Sequence, residues 1–166
     1  DKRDITLRHL LTHTSGMPDW IPFYLKGATP SEYLGQLRDR PPGARPGAMV
    51  LYSCAGYIML GEILHRCSGA PLDRLAREAI FEPLQLSATT FNPSGELLGR
   101  VAATEESCKY ERKLAGAEAD RYTGWRTGVI RGEVHDQNTW VLGGVAGNAG
   151  LFSTARETAM IAMEYL

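Results

Sequence analysis

The sequence predicts a mainly α-helical fold with long loops and at most short strands. Three observations carry this. Five segments space apolar residues at helical intervals and start or stop on capping residues. A proline- and glycine-rich stretch, Pro41 to Gly47, interrupts them and forbids a helix there. Between Gln85 and Asn138 neither helical nor strand periodicity is sustained.

The elements follow in order. Thr6 to His13 reads as a short helix with Leu7, Leu10 and Leu11 on one face, ended by Thr14-Ser15-Gly16-Met17-Pro18. Trp20 to Leu25 is an aromatic-rich loop or turn. A second helix opens at Thr29, with Pro30 in its first position and Glu32 completing a capping box, and runs to about Arg38. Met49 to Tyr52 is a short extended piece. A third helix spans about Ala55 to Cys67, with Ser53 as its cap, Tyr57, Leu60, Ile63 and Leu64 on its apolar face, and Gly69 at its end. A fourth, Pro71 to about Phe81, is expected to bury Leu72, Leu75, Ala76, Ala79 and Ile80 and to stop before Pro83. Thr89-Thr90-Phe91 reads as a brief strand, and Val129, Ile130 and Val134 as extended. The charged stretch from Glu105 to Asp120 reads as an exposed loop or irregular helix. Gly143 to Gly150 is a turn region, and Thr154 with Glu157 fits a capping box for a last helix.

Composition excludes several classes. The chain has 166 residues, 43% hydrophobic and 22% charged, with net charge −1, so disorder and a strongly basic nucleic-acid binder are not expected. No apolar run nears the roughly 20 residues that span a bilayer. The chain opens on Asp1 and closes inside the last helix with no stop signal, and is therefore expected to be an internal piece of a longer protein. Cys54, Cys67 and Cys108 form no Cys-x-x-Cys, which leaves free thiols and no zinc site. His9 and His13 lie four apart, but no glutamate follows His9 as a zinc-protease motif requires, and a role for these histidines in satisfying loop backbone is expected. His135-Asp136 lacks the third and fourth ligands of a metal site and reads as structural hydrogen bonding. No metal and no cofactor is expected.

Four segments together carry a resemblance. They are Ile5 to Gly16; Pro46-Gly47 with Tyr52 to Ile63; Ile80 to Leu84 with Thr90-Phe91; and Gly132 to Asp136 with Gly143 to Thr154. In this order the chain resembles, over nearly its whole length, the serine β-lactamase-related family of class C β-lactamases, low-molecular-weight penicillin-binding proteins, D-aminopeptidases and esterases. The resemblance implies the helical subdomain of a β-lactamase/transpeptidase-like α+β fold, as a single partial domain over 1–166. It implies acyl transfer through an acyl-enzyme on esters, D-amino-acid peptides or β-lactams.

That chemistry uses a Ser-x-x-Lys, a Tyr-x-Asn and a Lys-Thr-Gly or His-x-Gly. The second is represented here: Tyr52 matches the catalytic tyrosine, Ser53 the middle position, and Cys54 stands where the asparagine would be. A thiol makes only weak hydrogen bonds where a carboxamide makes strong ones. No serine has a lysine three residues on, and Arg126-Thr127-Gly128 mimics the third motif out of place. By resemblance Tyr52 is the catalytic candidate, and Ser53, Cys54, Gly147, Asn148 and Gly150 are substrate-binding candidates. The implied partners are a small-molecule or peptidoglycan-like substrate and the missing α/β part of the same protein, with self-association of the chain as a further expectation. The alternative is a non-catalytic binding or scaffold module that has kept the fold and lost the chemistry.

Overall fold

Side-chain caps start the main helices where the sequence places them. In a computed structural model that describes residues 2–27 and 29–166, Thr29 accepts from the Glu32 amide while the Glu32 carboxylate accepts from the Thr29 amide, opening α2 (Pro30–Asp39). Thr6 opens α1 (Leu7–Leu11) with a box closed by the His9 imidazole instead of a carboxylate. Ser53 caps α3 (Cys54–Ser68) by accepting from the Gly56 amide at 2.9 Å. Gly69 ends that helix with φ +70, a left-handed conformation that glycine adopts without strain.

Past α3 the expectations need correction. The fourth helix is α-helical only over α4 (Leu72–Ala76) and continues as a π-helical turn, Arg77–Phe81, with a Glu82 amide to Arg77 carbonyl bond. Pro83 has no N–H to give the Ala79 carbonyl, so an α-turn cannot close there. Ala79 and Ile80 are exposed and Phe81 is the buried residue of the turn. The charged stretch forms α5 (Lys109–Ala115) and a 3-10 turn, Gly116–Arg121, and it carries a buried carboxylate, Glu111. Val134 is buried but lies outside any strand. Thr154 caps α7 (Ala155–Met163) as expected, yet Glu157 does not close a capping box. Its carboxylate accepts from the Ala88 amide and the Thr89 hydroxyl, pinning α7 to the segment ahead of β1 (Thr90–Phe91).

Strands are few and short. β1 pairs antiparallel with β4 (Leu151–Phe152), Thr90 opposite Phe152. β2 (Ala103–Glu106) pairs antiparallel with β3 (Val129–Arg131), with an irregularity between Ala103 and Glu105. The mainly α architecture with long loops is therefore what the sequence indicated.

The core gathers Leu10, Met17, Phe23, Tyr33, Leu37 and Ile58 with small residues between them, which joins α1, α2, α3 and the Phe23–Leu25 turn. The buried residues of α3 are Ala55, Gly56, Ile58 and Gly61; of the expected apolar face, Leu60 and Ile63 pack partly buried against the core and Leu64 is exposed. Small residues there let the 143–150 turn lie on the helix: a Cβ at Gly147 would collide with the Tyr57 carbonyl. α6 (Gln137–Val141) is tied to the same core through Asn138. Its carboxamide accepts from the Phe23 amide at 3.0 Å and donates to the Ile21 carbonyl at 2.8 Å. No helix among the described residues is long and apolar enough to cross a membrane.

Candidate active site

Tyr52 and Cys54 stand at the start of α3, and local geometry explains their display. Ser53 between them turns inward. It is buried, and its hydroxyl donates to the Pro18 carbonyl at 2.6 Å while accepting from Gly56. The Ser53 side chain thus fills the capping role that the sequence predicts for it. With Ser53 held down, its neighbours project the other way. Tyr52 is 63% exposed. Its hydroxyl oxygen lies 3.9 Å from the Cys54 sulfur.

His13 buttresses this edge. Its backbone adopts φ +56, and its Nδ1 accepts from the Ser53 amide at 3.0 Å, the backbone-satisfying role expected of it. The imidazole sits against both Tyr52 and Tyr57, with ring centroids 4.7 and 4.9 Å away. Tyr57 is anchored in turn by donating to the Leu11 carbonyl at 3.0 Å. His9 stays in the α1 cap, so the two histidines make no shared ligand pair. Sequence reasoning placed Tyr57 on a core face and missed this bracing. No local signal marks it, since the partners are 46 residues apart.

The opposite wall comes from the second half of the chain. Asp136 caps α6 by accepting from the Thr139 amide at 2.6 Å, and Asn148 accepts from the buried Thr139 hydroxyl at 3.1 Å. His135 pairs with Glu105 at 2.7 Å. Asp136 and Asn148 line a cleft of about 770 Å³ that runs toward β4, and neither Tyr52 nor Cys54 lines it. Gly150 lies on the same wall with φ +109, where a side chain would strike the Gly144 carbonyl. Gly147 owes its identity to packing on α3, as described above. Arg126 of the Arg-Thr-Gly mimic is a loop residue that donates to the Val134 and His135 carbonyls and to Gln137.

The electrostatics couple the two walls. The Tyr52 phenol is held above its ordinary pKa by the neighbouring Cys54 sulfur first, then by partial burial, the Asp136 carboxylate and Tyr57. Burial pushes the Cys54 thiol up, with Asp136 and Asp19 adding to it, while hydrogen bonds from Tyr52 and Asn148 pull it back. Both groups therefore keep their protons at neutral pH. Among the described residues no group of three His, Cys, Asp or Glu side chains gathers as metal ligands.

An apolar strip flanks Tyr52. Leu7 and Leu11 are 55% and 56% exposed, and Val50 is 74% exposed beside Met49 and Leu51. The Leu51 amide bonds to the His13 carbonyl, which lays this strip along α1. Of the three leucines that share one face of α1, Leu10 alone is in the core.

A helical body that presents a tyrosine from the N-terminal edge of its central helix, opposite a glycine-rich turn, is the helical subdomain of a β-lactamase/penicillin-binding-protein-type fold. The comparisons agree. The family model described as Beta-lactamase matches residues 1–164, and the chain belongs to that family. It is 34% identical to the "Putative D-alanyl-D-alanine carboxypeptidase" of Escherichia coli K12, covering 96% of this chain and 38% of that protein. It is 32% identical to the N-acetylmuramyl-L-alanine amidase of Bacillus subtilis 168, covering 96% and 37%. These named relatives are hydrolases, and the chain spans well under half of their length. Among solved structures, a β-lactamase/D-alanine carboxypeptidase from Yersinia pestis complexed with citrate superposes with TM-score 0.67 at 26% identity, over 100% of this chain and 41% of that one. A penicillin-binding protein from Bacillus halodurans shares the fold, with TM-score 0.64 at 19% identity, over 98% and 48%.

Proposed function

We propose that these residues form the tyrosine-bearing subdomain of a serine hydrolase that works by acyl transfer on esters, D-amino-acid peptides or β-lactams. The observation that carries this is the exposed Tyr52 phenol, held between the His13 ring and the Cys54 sulfur. In the reaction a serine hydroxyl adds to the substrate carbonyl, Tyr52 relays the proton that the serine loses to the departing group, and water then cleaves the acyl ester and returns a proton to the serine.

Every influence on Tyr52 within the chain raises its pKa, so here the phenol is a donor without a means of becoming a base. A cation beside it would lower that pKa. The lysine of a Ser-x-x-Lys, contributed by a part of the parent protein outside these residues, would be such a cation, and the serine of the same motif would be the nucleophile. The exposed strip of Leu7, Leu11, Met49 and Val50 is where that part, or a second copy of the chain, would pack.

The 166-residue chain alone is accordingly inactive. Nitrocefin and a p-nitrophenyl ester should show no turnover above buffer; steady turnover that Tyr52→Phe abolishes would overturn the reading. Cys54 in the asparagine position favours a second reading, a binding module without catalysis. The coding sequence ahead of Asp1 separates them: a Ser-x-x-Lys there supports the hydrolase, and a parent protein with none supports the module.

A further inference from the structure

The second half of the chain reaches the Tyr52–Cys54 edge through one carboxamide. Gly147 packs closely on the Tyr57 carbonyl, one turn into α3, and so sets its neighbour Asn148 beside the start of that helix. There Asn148 is a hydrogen-bonding partner of the Cys54 sulfur, which itself lies 3.9 Å from the Tyr52 hydroxyl oxygen.

A carboxamide has two ends of opposite chemistry. Its NH2 donates and favours a thiolate, whereas its carbonyl oxygen accepts and opposes one. Asn148 by itself does not choose between them. Thr139 on α6 does. It is fully buried, and a buried hydroxyl needs an acceptor for its proton. Asn148 Oδ1 supplies that acceptor at 3.1 Å. With the oxygen end held, the NH2 end is the one turned to the sulfur. The Thr139 amide makes a second contact, donating to Asp136 Oδ1 at 2.6 Å. Asp136 is a carboxylate that opposes ionisation of both Cys54 and Tyr52.

From these contacts we propose that Thr139 is a positioning residue for the Cys54–Tyr52 pair: its buried hydroxyl fixes which end of Asn148 meets the sulfur, while its amide holds Asp136 in place. The proposal rests on the hydrolase reading only in taking Tyr52 as the reacting group; the arrangement itself is testable without turnover. The titratable groups that act on Cys54 are Tyr52 beside it, Asp136 ahead of α6 and Asp19 in the loop after α1, and Tyr33 on α2 feels Cys54 in turn. Thr139→Val leaves all four in place.

Alkylation of the folded 166-residue chain by iodoacetamide, followed from pH 7 to 10 and read peptide by peptide, tests this. Cys67 is exposed and serves as internal reference, and Cys108 is buried and is labelled only when the chain opens. Thr139→Val removes the hydroxyl and keeps the shape and the amide. It should raise the pH midpoint of Cys54 labelling and slow labelling at pH 8 by about threefold, with Cys67 unchanged and Cys108 unlabelled. Thr139→Ser, which keeps the hydroxyl, should restore the parent profile. Asn148→Ala should shift Cys54 as far as Thr139→Val, and the two together no further. The unmutated chain gives a reading that needs no variant, should Thr139→Val open the fold: the Asn148 NH2 protons should show stronger NOEs to Cys54 Hβ than to the Thr139 methyl. An unchanged Cys54 profile in folded Thr139→Val overturns the proposal, as does a Thr139→Ser shift of equal size, additive shifts in the double variant, or NOEs that turn the NH2 toward Thr139. Nitrocefin turnover and the upstream coding sequence judge the hydrolase reading separately.

Discussion

The two walls that meet where Cys54 faces Asn148 and Asp136 are built by different physics. The first wall, α1 with α3, rests on an apolar core in which Phe23 and Tyr33 pack with ring centroids 3.9 Å apart. The second wall, around α6, rests on buried polar groups. Glu111 accepts from the Gln137 amide at 3.0 Å and from Tyr24 at 3.4 Å. Gln137 donates to the Tyr122 hydroxyl and accepts from Arg126. Asn138 and Thr139 are equally buried. Apolar packing is non-directional and tolerates small shifts, whereas a hydrogen-bonded cluster fixes angles and loses a great deal when one member is removed. The directional wall is the one that aims Asp136 and Asn148, and the apolar wall need only hold up a short cap and one exposed phenol.

This contrast orders the expected effects of mutation. Phe23→Ala should be the most damaging, costing about 3–5 kcal/mol through the cavity it leaves in the apolar wall, read by urea unfolding. Asn138→Ala cuts the bridge between the walls and strands the Phe23 amide and Ile21 carbonyl, at a cost of about 2–4 kcal/mol. If Asn138→Ala costs under about 1 kcal/mol, the polar wall is not the rigid one. Glu157→Gln keeps one acceptor of the three-bond pin on Ala88 and Thr89, and should cost about 1–2 kcal/mol. Its destabilisation should show as faster amide exchange in α7 and β1 before the rest of the fold.

Glu111 sharpens the comparison through pH. Burial first, with Asp136 adding, raises its pKa, outweighing the Gln137 amide, His135 and Tyr24. The folded chain therefore binds this proton more tightly than the unfolded one. Its contribution is fully present below the ordinary carboxylate range and is lost as pH rises through the raised folded value. Glu111→Gln should thus change thermal stability little at pH 4 and raise Tm by a few degrees at pH 8; a variant that loses stability at pH 8 would mean that the ionised carboxylate is the form the cluster needs. The smallest effect is expected for Tyr52→Phe, within about 0.5 kcal/mol of the parent chain, because among the described residues its hydroxyl makes only the long contact to Cys54. A larger loss would make Tyr52 a structural anchor.

Legibility in the sequence divides along the same line. The caps at Thr29, Ser53 and Thr154, the Gly69 stop and the Thr90-Phe91 strand were readable because each lies within four residues of its partner or follows a local backbone preference. The exposed leucines of α1 were not, because i, i+3, i+4 spacing reports that a face is apolar and not whether these residues cover it. Burial of Glu111 inside a charged stretch was also unreadable: its partners, Tyr24 and Gln137, lie 87 and 26 residues away. Tyr52 and Cys54 could be singled out by motif, but their support by His13, Tyr57 and Asn148 could not.

By itself the sequence determined the starts of α1, α2, α3 and α7, the Gly69 stop and the family pattern that singles out Tyr52 as a candidate. These are matters of capping chemistry and spacing, whose energies act within a turn or two of chain. Tertiary structure alone decided which leucines face outward, that Glu157 ties two segments instead of closing a cap, that Ser53 turns in while its neighbours turn out, and that the Thr139 hydroxyl holds the Asn148 carboxamide. The reason is that a polar group is satisfied by whichever donor or acceptor the fold brings within about 3 Å, and nothing in the linear spacing says which distant residue that will be.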